Sequence, residues 1–266
     1  MRAKKHLGQH FLKSRVIVEK IIGGGDVSSE DIVLEIGPGR GILTEELLCH
    51  AKKVVAVEKD PDMISLLSEK FADEIKKGVL VLVAEDILSF DPSAHGLSKG
   101  NYKLIANIPY YITGEILRAF LSERTQPERM VLLVQKEVAE RIVANNGKES
   151  VLSISVKVYG NPKIVLHVPK KFFSPPPDVD SAVLSITNIS KKRFENISEK
   201  IFFEFVKKGF SQKRKQLAGN LEDLMPKEKT ASFLAKRGLP KTARAEELTV
   251  DDWEKLTSTS TALNQQ

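Results

Sequence analysis

Short runs of apolar residues alternate with amphipathic segments along the first 187 positions of this 266-residue chain. The apolar runs are rich in Val, Ile and Leu, which is typical of strands that are buried on both faces. They predict strands at residues 31–36, 53–58, 79–84, 102–106, 130–135, 154–159 and 182–186. The segments between them predict helices at residues 16–22, 42–48, 61–71, 114–121 and 136–144. This alternation indicates an α/β fold with a mostly parallel sheet covered by helices on both faces.

The pattern changes near residue 187, where strands cease and the charge rises. Beyond this point Phe202, Val206, Phe210 and Leu217 recur at a spacing close to that of a helix. We therefore expect two domains, an α/β domain of residues 1–188 and a small all-α domain of residues 189–266. At its beginning, the first domain should have a helix that stops at three successive glycines, residues 23–25.

Positive charge is concentrated in two blocks of the chain. Residues 1–20 carry a net charge of +5 and residues 187–244 carry +9, against +6 for the whole chain. Lysine-rich segments are often only solvated surface. Two separated basic blocks are also what a protein that binds a polyanion such as nucleic acid would carry. Charge alone leaves both interpretations open.

Composition excludes several classes of protein. Cys49 is the only cysteine, so no internal disulfide can form, and the five histidines match no metal-binding motif. We therefore expect no metal. No run of apolar residues is long enough to span a membrane, and the first residues lack the apolar core of a secretory signal. We expect a cytoplasmic protein without a membrane partner.

A glycine-rich turn follows the first predicted strand. Residues 35–41 read E-x-G-x-G-x-G, whereas the dinucleotide-binding fingerprint needs its third glycine one position later, where Ile42 stands. The pattern fits the turn of methyltransferases that use S-adenosylmethionine, and Gly37 and Gly39 would let that cofactor approach the backbone. Hydride transfer from a nicotinamide is disfavoured.

Two acidic residues, one at the end of the second predicted strand and one just past the third, lie at the same expected edge of the sheet. Glu58 is placed to accept hydrogen bonds from the ribose hydroxyls of the cofactor, and Asp86 from its adenine amino group. Either acid taken alone could be a helix cap or a solvated strand end. Their common position at strand ends favours a cofactor site.

The loop after the fourth strand reads Asn107-Ile108-Pro109-Tyr110. The amino group of adenine is a poor nucleophile because its lone pair is delocalised into the ring, so catalysis needs acceptors for its hydrogens. The Asn107 amide oxygen and the Ile108 carbonyl can hold those hydrogens, Pro109 stiffens the loop, and Tyr110 can stack on a base flipped out of its helix. The loop therefore predicts methyl transfer to an amino group of a nucleic-acid base.

Several motifs together resemble the KsgA-type small-subunit ribosomal RNA adenine dimethyltransferases over nearly the whole chain. These are residues 5–12 (KHLGQHFL), 35–41, 57–60 (VEKD), 85–86, 107–111, 135–138 (QKEV), 173–181 (FSPPPDVDS) and 209–217 (GFSQKRKQL). The resemblance implies a Rossmann-like S-adenosylmethionine methyltransferase fold with a seven-stranded sheet, followed by a helical RNA-binding domain.

The resemblance also implies roles for particular residues. His10 and Leu12 would line the cofactor, with Asn107 beside it, and Phe173 would lie opposite Tyr110 against the target base. At position 10 this sequence differs from the commonest bacterial form of the family, which has asparagine there. For Phe173 the alternative is a core residue, which is what a phenylalanine without a motif around it usually is. RNA would be bound by basic residues of both blocks: Lys4, Lys5, Lys213, Arg214 and Lys215.

The implied activity is dimethylation of two adjacent adenosines near the 3′ end of small-subunit ribosomal RNA, in a particle or its precursor, by a monomeric enzyme linked to small-subunit biogenesis. Three alternatives remain. The related enzymes that methylate large-subunit RNA and confer antibiotic resistance share the Asn-Ile-Pro-Tyr loop. A non-catalytic RNA-binding assembly factor would keep the basic blocks. A small-molecule methyltransferase would not need them.

Overall fold

The computed structural model describes residues 8–122, 125–144 and 146–263, with side chains through residue 260. The chain divides into two compact units. The first comprises the chain through Ala139 together with Asn161–Ile189, and the second comprises Glu140–Gly160 together with the chain from Ser190 onward.

Residues 140–160, which we expected in the first domain, therefore group with the second unit. Backbone hydrogen bonds account for this: the Glu149 N–H donates to the Glu246 carbonyl at 2.8 Å, and the Ser190 N–H donates to the Tyr159 carbonyl at 2.9 Å. A sequence pattern read along the chain does not show that a segment folds back onto a later one.

The first unit is built on a twisted sheet. Its strands, within the described residues, are β1 (Phe11–Leu12), β2 (Ile32–Ile36), β3 (Lys53–Glu58), β4 (Leu80–Ala84), β5 (Tyr102–Asn107), β6 (Arg129–Gln135), β7 (Asn161–Val168), β8 (Phe173–Ser174) and β9 (Ser181–Thr187). Seven of them form one sheet in the order β4-β3-β2-β5-β6-β9-β7. The pairs from β4 to β6 are parallel, and β9 is antiparallel to both of its neighbours. The predicted α/β fold with a mostly parallel, seven-stranded sheet is confirmed.

Helices flank this sheet. They are α1 (Arg15–Gly25), α2 (Ile42–His50), α3 (Pro61–Lys70), α4 (Ala72–Lys76) and α5 (Thr113–Ser122), and α6 (Lys136–Val143) leads out of the unit. On one face, α1 and α2 bury Ile21 and Leu47 against Val33 and Ile105 of the sheet. Apolar contact of this kind is the main source of stability in an α/β layer structure.

The prediction that the first helix ends at the three glycines is wrong. Helix α1 continues through Gly25 and ends at Asp26, which adopts a left-handed conformation with φ 50°. A Cβ atom on Gly25 would lie 2.7 Å from the Ile105 side chain, so this glycine lets the helix approach the sheet closely. Packing space, not helix termination, is why glycine stands at residue 25.

The β-rich prediction for residues 154–159 is also wrong. The segment lies largely in helix α7 (Val151–Lys157), whose start is stabilised by a capping box between Ser150 and Ser153. The strand of this region is β7, whose residues are mostly half-buried or exposed because it lies at the edge of the sheet. β-Branched residues favour strands only weakly. In this segment the capping box and the tertiary contacts favour a helix instead.

The second unit is helical from Ser190 onward in its described part, as predicted. Its further helices are α8 (Glu199–Gly209), α9 (Leu217–Asn220), α10 (Lys227–Lys236) and α11 (Val250–Leu263). Phe202, Val206 and Leu217 are buried, and the Phe210 ring stacks on Trp253 at 5.8 Å. In the described ranges, none of the helices has the length and apolar character needed to cross a bilayer.

Candidate cofactor and substrate cavity

A cavity lies in the first unit where the parallel strands end. Strands β2, β3 and β5 are in register, so residues that follow them meet at the carboxyl edge of the sheet. This is where open α/β sheets bind their ligands. Ten of the predicted site residues line the cavity together: His10, Leu12, Gly37, Gly39, Glu58, Asp86, Asn107, Ile108, Pro109 and Tyr110.

The glycine turn forms one wall of the cavity. Gly37, Gly39 and Gly41 have φ values of 64°, 57° and 75°, in the left-handed region that favours glycine. A Cβ on Gly41 would lie 2.6 Å from the Phe71 ring, so that glycine is needed for packing. A Cβ on Gly37 would meet nothing nearer than the Asn107 carbonyl oxygen at 3.9 Å, which leaves room for a ligand against the turn.

Glu58 ends strand β3 and is only 8% exposed. Its Oε2 accepts a hydrogen bond from the Gly39 N–H at 3.2 Å, and its Oε1 accepts one from the Asp60 N–H at 2.9 Å. Burial raises the pKa of this carboxyl, the Asp60 charge adds to the rise, and the backbone N–H groups oppose it. Each oxygen keeps a second lone pair, so the carboxylate could also accept from two ribose hydroxyls.

Asp86 lies on the same side of the cavity, after strand β4. Its Oδ1 accepts a hydrogen bond from the Leu88 N–H at 3.0 Å, and its Oδ2 lies 3.4 Å from the Lys59 ammonium. The carboxylate therefore stabilises its own turn, which is the capping role considered above as the alternative to ligand binding. Asp86 is also one of the residues that line the cavity. Its predicted contact with an adenine amino group stays a prediction.

The Asn107 side chain is held from one end. Its Nδ2 donates a hydrogen bond to the His10 carbonyl at 3.1 Å, and this bond fixes which end of the amide is the oxygen. Among the described residues, no hydrogen bond to the amide oxygen is found. The Asn107 amide nitrogen is thus hydrogen-bonded within the protein, and the Asn107 amide oxygen remains as an acceptor at the cavity wall.

Tyr110 begins a short 3₁₀ helix, Tyr110–Ile112. Its hydroxyl shares a 2.6 Å hydrogen bond with the Ser181 hydroxyl on β9, and its ring stacks on the His10 ring at 6.0 Å with an angle of 22° between planes. Burial raises the pKa of the Tyr110 phenol, so the hydroxyl stays protonated at neutral pH. Ser181 was not predicted as a site residue, because its role depends on where an antiparallel strand returns.

The segment before α1 closes another side of the cavity. The His10 Nδ1 lies 2.9 Å from the Pro175 carbonyl oxygen, which can only accept, so Nδ1 is the donor of this hydrogen bond. Leu12 pairs with Phe173 where β1 meets β8, and it forms part of the cavity wall. The roles of His10 and Leu12 toward a cofactor stay predictions, although both are in place for them.

Phe173 is placed differently from the other predicted site residues that the structure describes. Its side chain is 1% exposed and belongs to the buried apolar cluster that includes Val18 and Ile21, and it is not among the residues that line the cavity. The alternation of side chains across β8 turns its ring into the core. In this conformation the Phe173 ring is packed in the core, and its predicted place opposite Tyr110 against the target base stays a prediction.

None of the predicted RNA-binding residues that the structure describes lines the cavity. Lys4 and Lys5 lie outside the described residues. Lys213, Arg214 and Lys215 are exposed in the loop between α8 and α9 of the second unit. In the described ranges, no group of three or more His, Cys, Asp or Glu side chains could hold a metal ion.

The fold relates the chain to solved structures. A dimethyladenosine transferase from Plasmodium falciparum superposes with a TM-score of 0.78 at 30% sequence identity, which covers 93% of this chain and 96% of that one. The 23S rRNA methyltransferase ErmE superposes with a TM-score of 0.76 at 24% identity, covering 93% and 98%, and therefore shares the fold. The protein is an α/β methyltransferase of Rossmann-like fold.

Sequence comparison narrows this class to a family. A family model described as ribosomal RNA adenine dimethylase matches residues 1–261. The ribosomal RNA small subunit methyltransferase A of Dehalococcoides mccartyi is 43% identical over 260 residues, which is 96% of this chain and 88% of that protein. The chain belongs to the ribosomal RNA adenine dimethylase family. The predicted resemblance and the enzyme class, an rRNA adenine methyltransferase, are confirmed.

Proposed function

We propose that this protein dimethylates the exocyclic amino groups of two adjacent adenosines near the 3′ end of small-subunit ribosomal RNA, with S-adenosylmethionine as methyl donor. The observation that carries the proposal is Asn107, whose nitrogen is bound by the His10 carbonyl while its oxygen remains as an acceptor at the cavity. The name of the Dehalococcoides mccartyi relative supports the small subunit as the source of the RNA.

The residues at the carboxyl edge fit S-adenosylmethionine. Gly37 leaves open space against the turn, and Glu58 presents a buried carboxylate for the ribose. Asp86 presents a partly exposed carboxylate for the adenine. His10, Leu12 and Asn107 would complete the site on the opposite side. When bound, the cofactor supplies the methyl group that is transferred.

The Asn-Ile-Pro-Tyr loop would prepare the target amine. The Asn107 oxygen and the Ile108 carbonyl accept its two hydrogens, which draws the nitrogen toward tetrahedral geometry and frees its lone pair. Tyr110 stacks on the flipped base and holds the nitrogen in place. No side chain is assigned as a general base, because the methylated amine is acidic enough to give its proton to water.

Tyr110 provides a test of base capture. Replacing Tyr110 by alanine should weaken binding of the target adenosine by about 1–3 kcal/mol, the usual contribution of one stacked base. Tyr110→Phe and Ser181→Ala both remove the 2.6 Å hydrogen bond between the hydroxyls but keep the ring, so each should have a smaller and similar effect. The Michaelis constant for RNA measures this. Equal losses in all three variants would show that the hydroxyl, and not stacking, is what matters.

We assign the helical part of the chain after residue 189, which belongs to the second unit, to RNA binding. Reversing the charge of Lys213, Arg214 and Lys215 should make the salt dependence of RNA binding shallower, by about one unit of slope for each phosphate that is no longer neutralised. A matched control reverses Lys52, Lys76 and Lys77, which are exposed near the amino ends of β3 and β4, away from the cavity edge. An equal change in both triple variants would mean that the loop contributes only general charge.

The reaction is tested with radiolabelled S-adenosylmethionine and purified small and large ribosomal subunits, followed by nucleoside analysis. Label recovered as dimethyladenosine from the small subunit supports the proposal. Label in the large subunit would instead indicate the resistance-type activity, and RNA binding without label would indicate an assembly factor. We place the reaction in the cytoplasm and expect a monomer acting on a particle or its precursor.

A further inference from the structure

Three residues of the cavity lining differ from the rest because they are exposed to solvent. Most of the lining is buried or half-buried. In the described part of the chain, the exposed lining residues are Arg40, Lys59 and Tyr111, and we call these three the rim of the cavity. The rim thus consists of two cations and one aromatic ring. Cations that track the phosphates and rings that stack on bases are the combination with which proteins hold single-stranded RNA.

Tyr111 is the exposed aromatic residue of this protein. It is 58% exposed, whereas every other Phe, Tyr and Trp in the described ranges is buried or half-buried. Isolated exposed apolar residues are common on protein surfaces, so exposure alone would carry no inference. Tyr111, however, directly follows the Asn107–Tyr110 loop and lines the same cavity. Its ring is therefore available to a ligand that is bound at that loop.

Tyr110 and Tyr111 are directed to opposite sides of the cavity. They are consecutive residues of a 3₁₀ helix, in which neighbours lie about 120° apart. The Tyr110 hydroxyl bonds to Ser181 on β9, which lies beyond β6 on one side of β5. The Tyr111 hydroxyl accepts a hydrogen bond from Lys59, which follows β3, beyond β2 on the other side of β5. A base that stacks on Tyr110 therefore leaves the Tyr111 ring free for another one.

The Tyr111 ring is held in place from two directions. Burial acts to lower the pKa of Lys59, but the Asp86 carboxylate, 3.4 Å from its ammonium, and the Tyr111 hydroxyl raise it. On another side the ring packs against Gly8, where a Cβ would lie 3.3 Å from the Tyr111 Cε1. Since the hydroxyl is engaged, the ring itself is what Tyr111 offers to a ligand. A ring that is already held loses little conformational freedom on binding.

We propose that the Tyr111 ring stacks on the base of the nucleotide next to the target adenosine and so holds the RNA strand at the rim. The inference rests on the proposed function, in which each target adenosine has another adenosine as its neighbour. Flipping the target out of its strand removes a stacking partner from that neighbour. The exposed ring at the rim replaces this partner. Arg40 and Lys59 supply positive charge for the phosphates of the same strand.

The test is the affinity of the full chain for small ribosomal subunits with saturating S-adenosylhomocysteine, measured by filter binding. Tyr111→Ala should raise the Kd by about 5- to 150-fold, the range for loss of one stacked base. Tyr111→Phe keeps the ring and should stay within about threefold of the wild type. The matched control is Val79→Ala, which removes an exposed apolar side chain just before β4, at the opposite edge of the sheet. Because Tyr111 is exposed, its alanine variant should keep the wild-type melting temperature.

Subunits that carry an abasic nucleotide in place of one of the two adenosines identify the stacked base. Removing the base that stacks on Tyr111 should weaken binding by the wild type and should weaken binding by Tyr111→Ala little further. Such coupling with either of the two abasic subunits supports the proposal. If Tyr111→Ala loses the same factor on intact subunits and on both abasic subunits, the ring does not contact either base and the proposal is wrong.

The competing occupant of the Tyr111 ring is the adenine of the cofactor, because Lys59 and Asp86 lie on that side of the cavity. Stacking on RNA predicts that Tyr111→Ala binds S-adenosylhomocysteine as tightly as the wild type does. A loss of affinity for S-adenosylhomocysteine as large as the loss for subunits would overturn the proposal. Methylation of small subunits by the wild type without the expected coupling would refute this inference alone, whereas no methylation of small subunits would remove the proposed function as well.

Discussion

Replacing Asn107 by alanine is expected to lower the turnover of methyl transfer by about 10²–10³-fold, the range seen when one positioned polar group at a reacting centre is removed. The reason is geometric. The Asn107 nitrogen is held by the His10 carbonyl at 3.1 Å, so the position of the amide oxygen is set before a base arrives. Single-turnover rates with saturating RNA and cofactor measure the effect on chemistry directly.

Asn107→Asp is the matched control for this variant. Aspartate keeps an acceptor at the same distance from the backbone but loses the N–H that binds the His10 carbonyl. It should therefore recover part of the turnover that alanine loses. The affinity for S-adenosylhomocysteine should change little in Asn107→Ala. A loss of affinity as large as the loss of turnover would mean that Asn107 supports the cofactor site rather than the amine.

The sequence was sufficient to predict where the cavity lies. Apolar runs marked the strands, and parallel strands put the residues that follow them at one edge, so Gly37, Glu58, Asp86 and Asn107 could be placed together before any coordinates. Each of these residues ends a strand or follows one within two positions. Because these residues lie at or close to the ends of strands, their positions depend on only a few neighbouring residues. Local sequence patterns are sufficient to predict such positions.

Features that depend on distant parts of the chain could not be predicted in the same way. Phe173 lies in a recognisable motif, but the pairing of β8 with β1 turns its ring into the core. Ser181 reaches the Tyr110 hydroxyl only because β9 returns beside β6. Tyr111 was visible as the residue after the Asn-Ile-Pro-Tyr loop. Its exposure at the rim, however, is a property of the folded chain, in which the ring packs against Gly8 from a distant segment.

Replacing Glu58 by alanine is expected to weaken binding of S-adenosylhomocysteine by about 100-fold or more. Hydrogen bonds to a charged group contribute about 1.5–3 kcal/mol each, and Glu58 is placed to accept two from the ribose. Turnover at saturating cofactor should change much less, because Glu58 lies on the cofactor side of the cavity. Glu58→Gln keeps one acceptor and should lie between the wild type and alanine. Glu69→Ala, which removes an exposed carboxylate from α3, controls for charge alone.

The structure also allows Glu58 to act through the glycine turn, because its Oε2 accepts the Gly39 N–H at 3.2 Å. The two explanations give different ligand dependence. If Glu58 binds the ribose, 2′-deoxy or 3′-deoxy analogues of S-adenosylhomocysteine should bind the wild type weakly and lose little further in Glu58→Ala. If Glu58 only shapes the turn, the variant should lose the same factor for every analogue, and the assignment of Glu58 to the ribose would be wrong. Comparing the Glu58→Ala substitution with removal of a ribose hydroxyl is a double-mutant cycle in which one of the two changes is made on the ligand. It separates the interaction between Glu58 and the ribose from any effect of the substitution on the glycine turn.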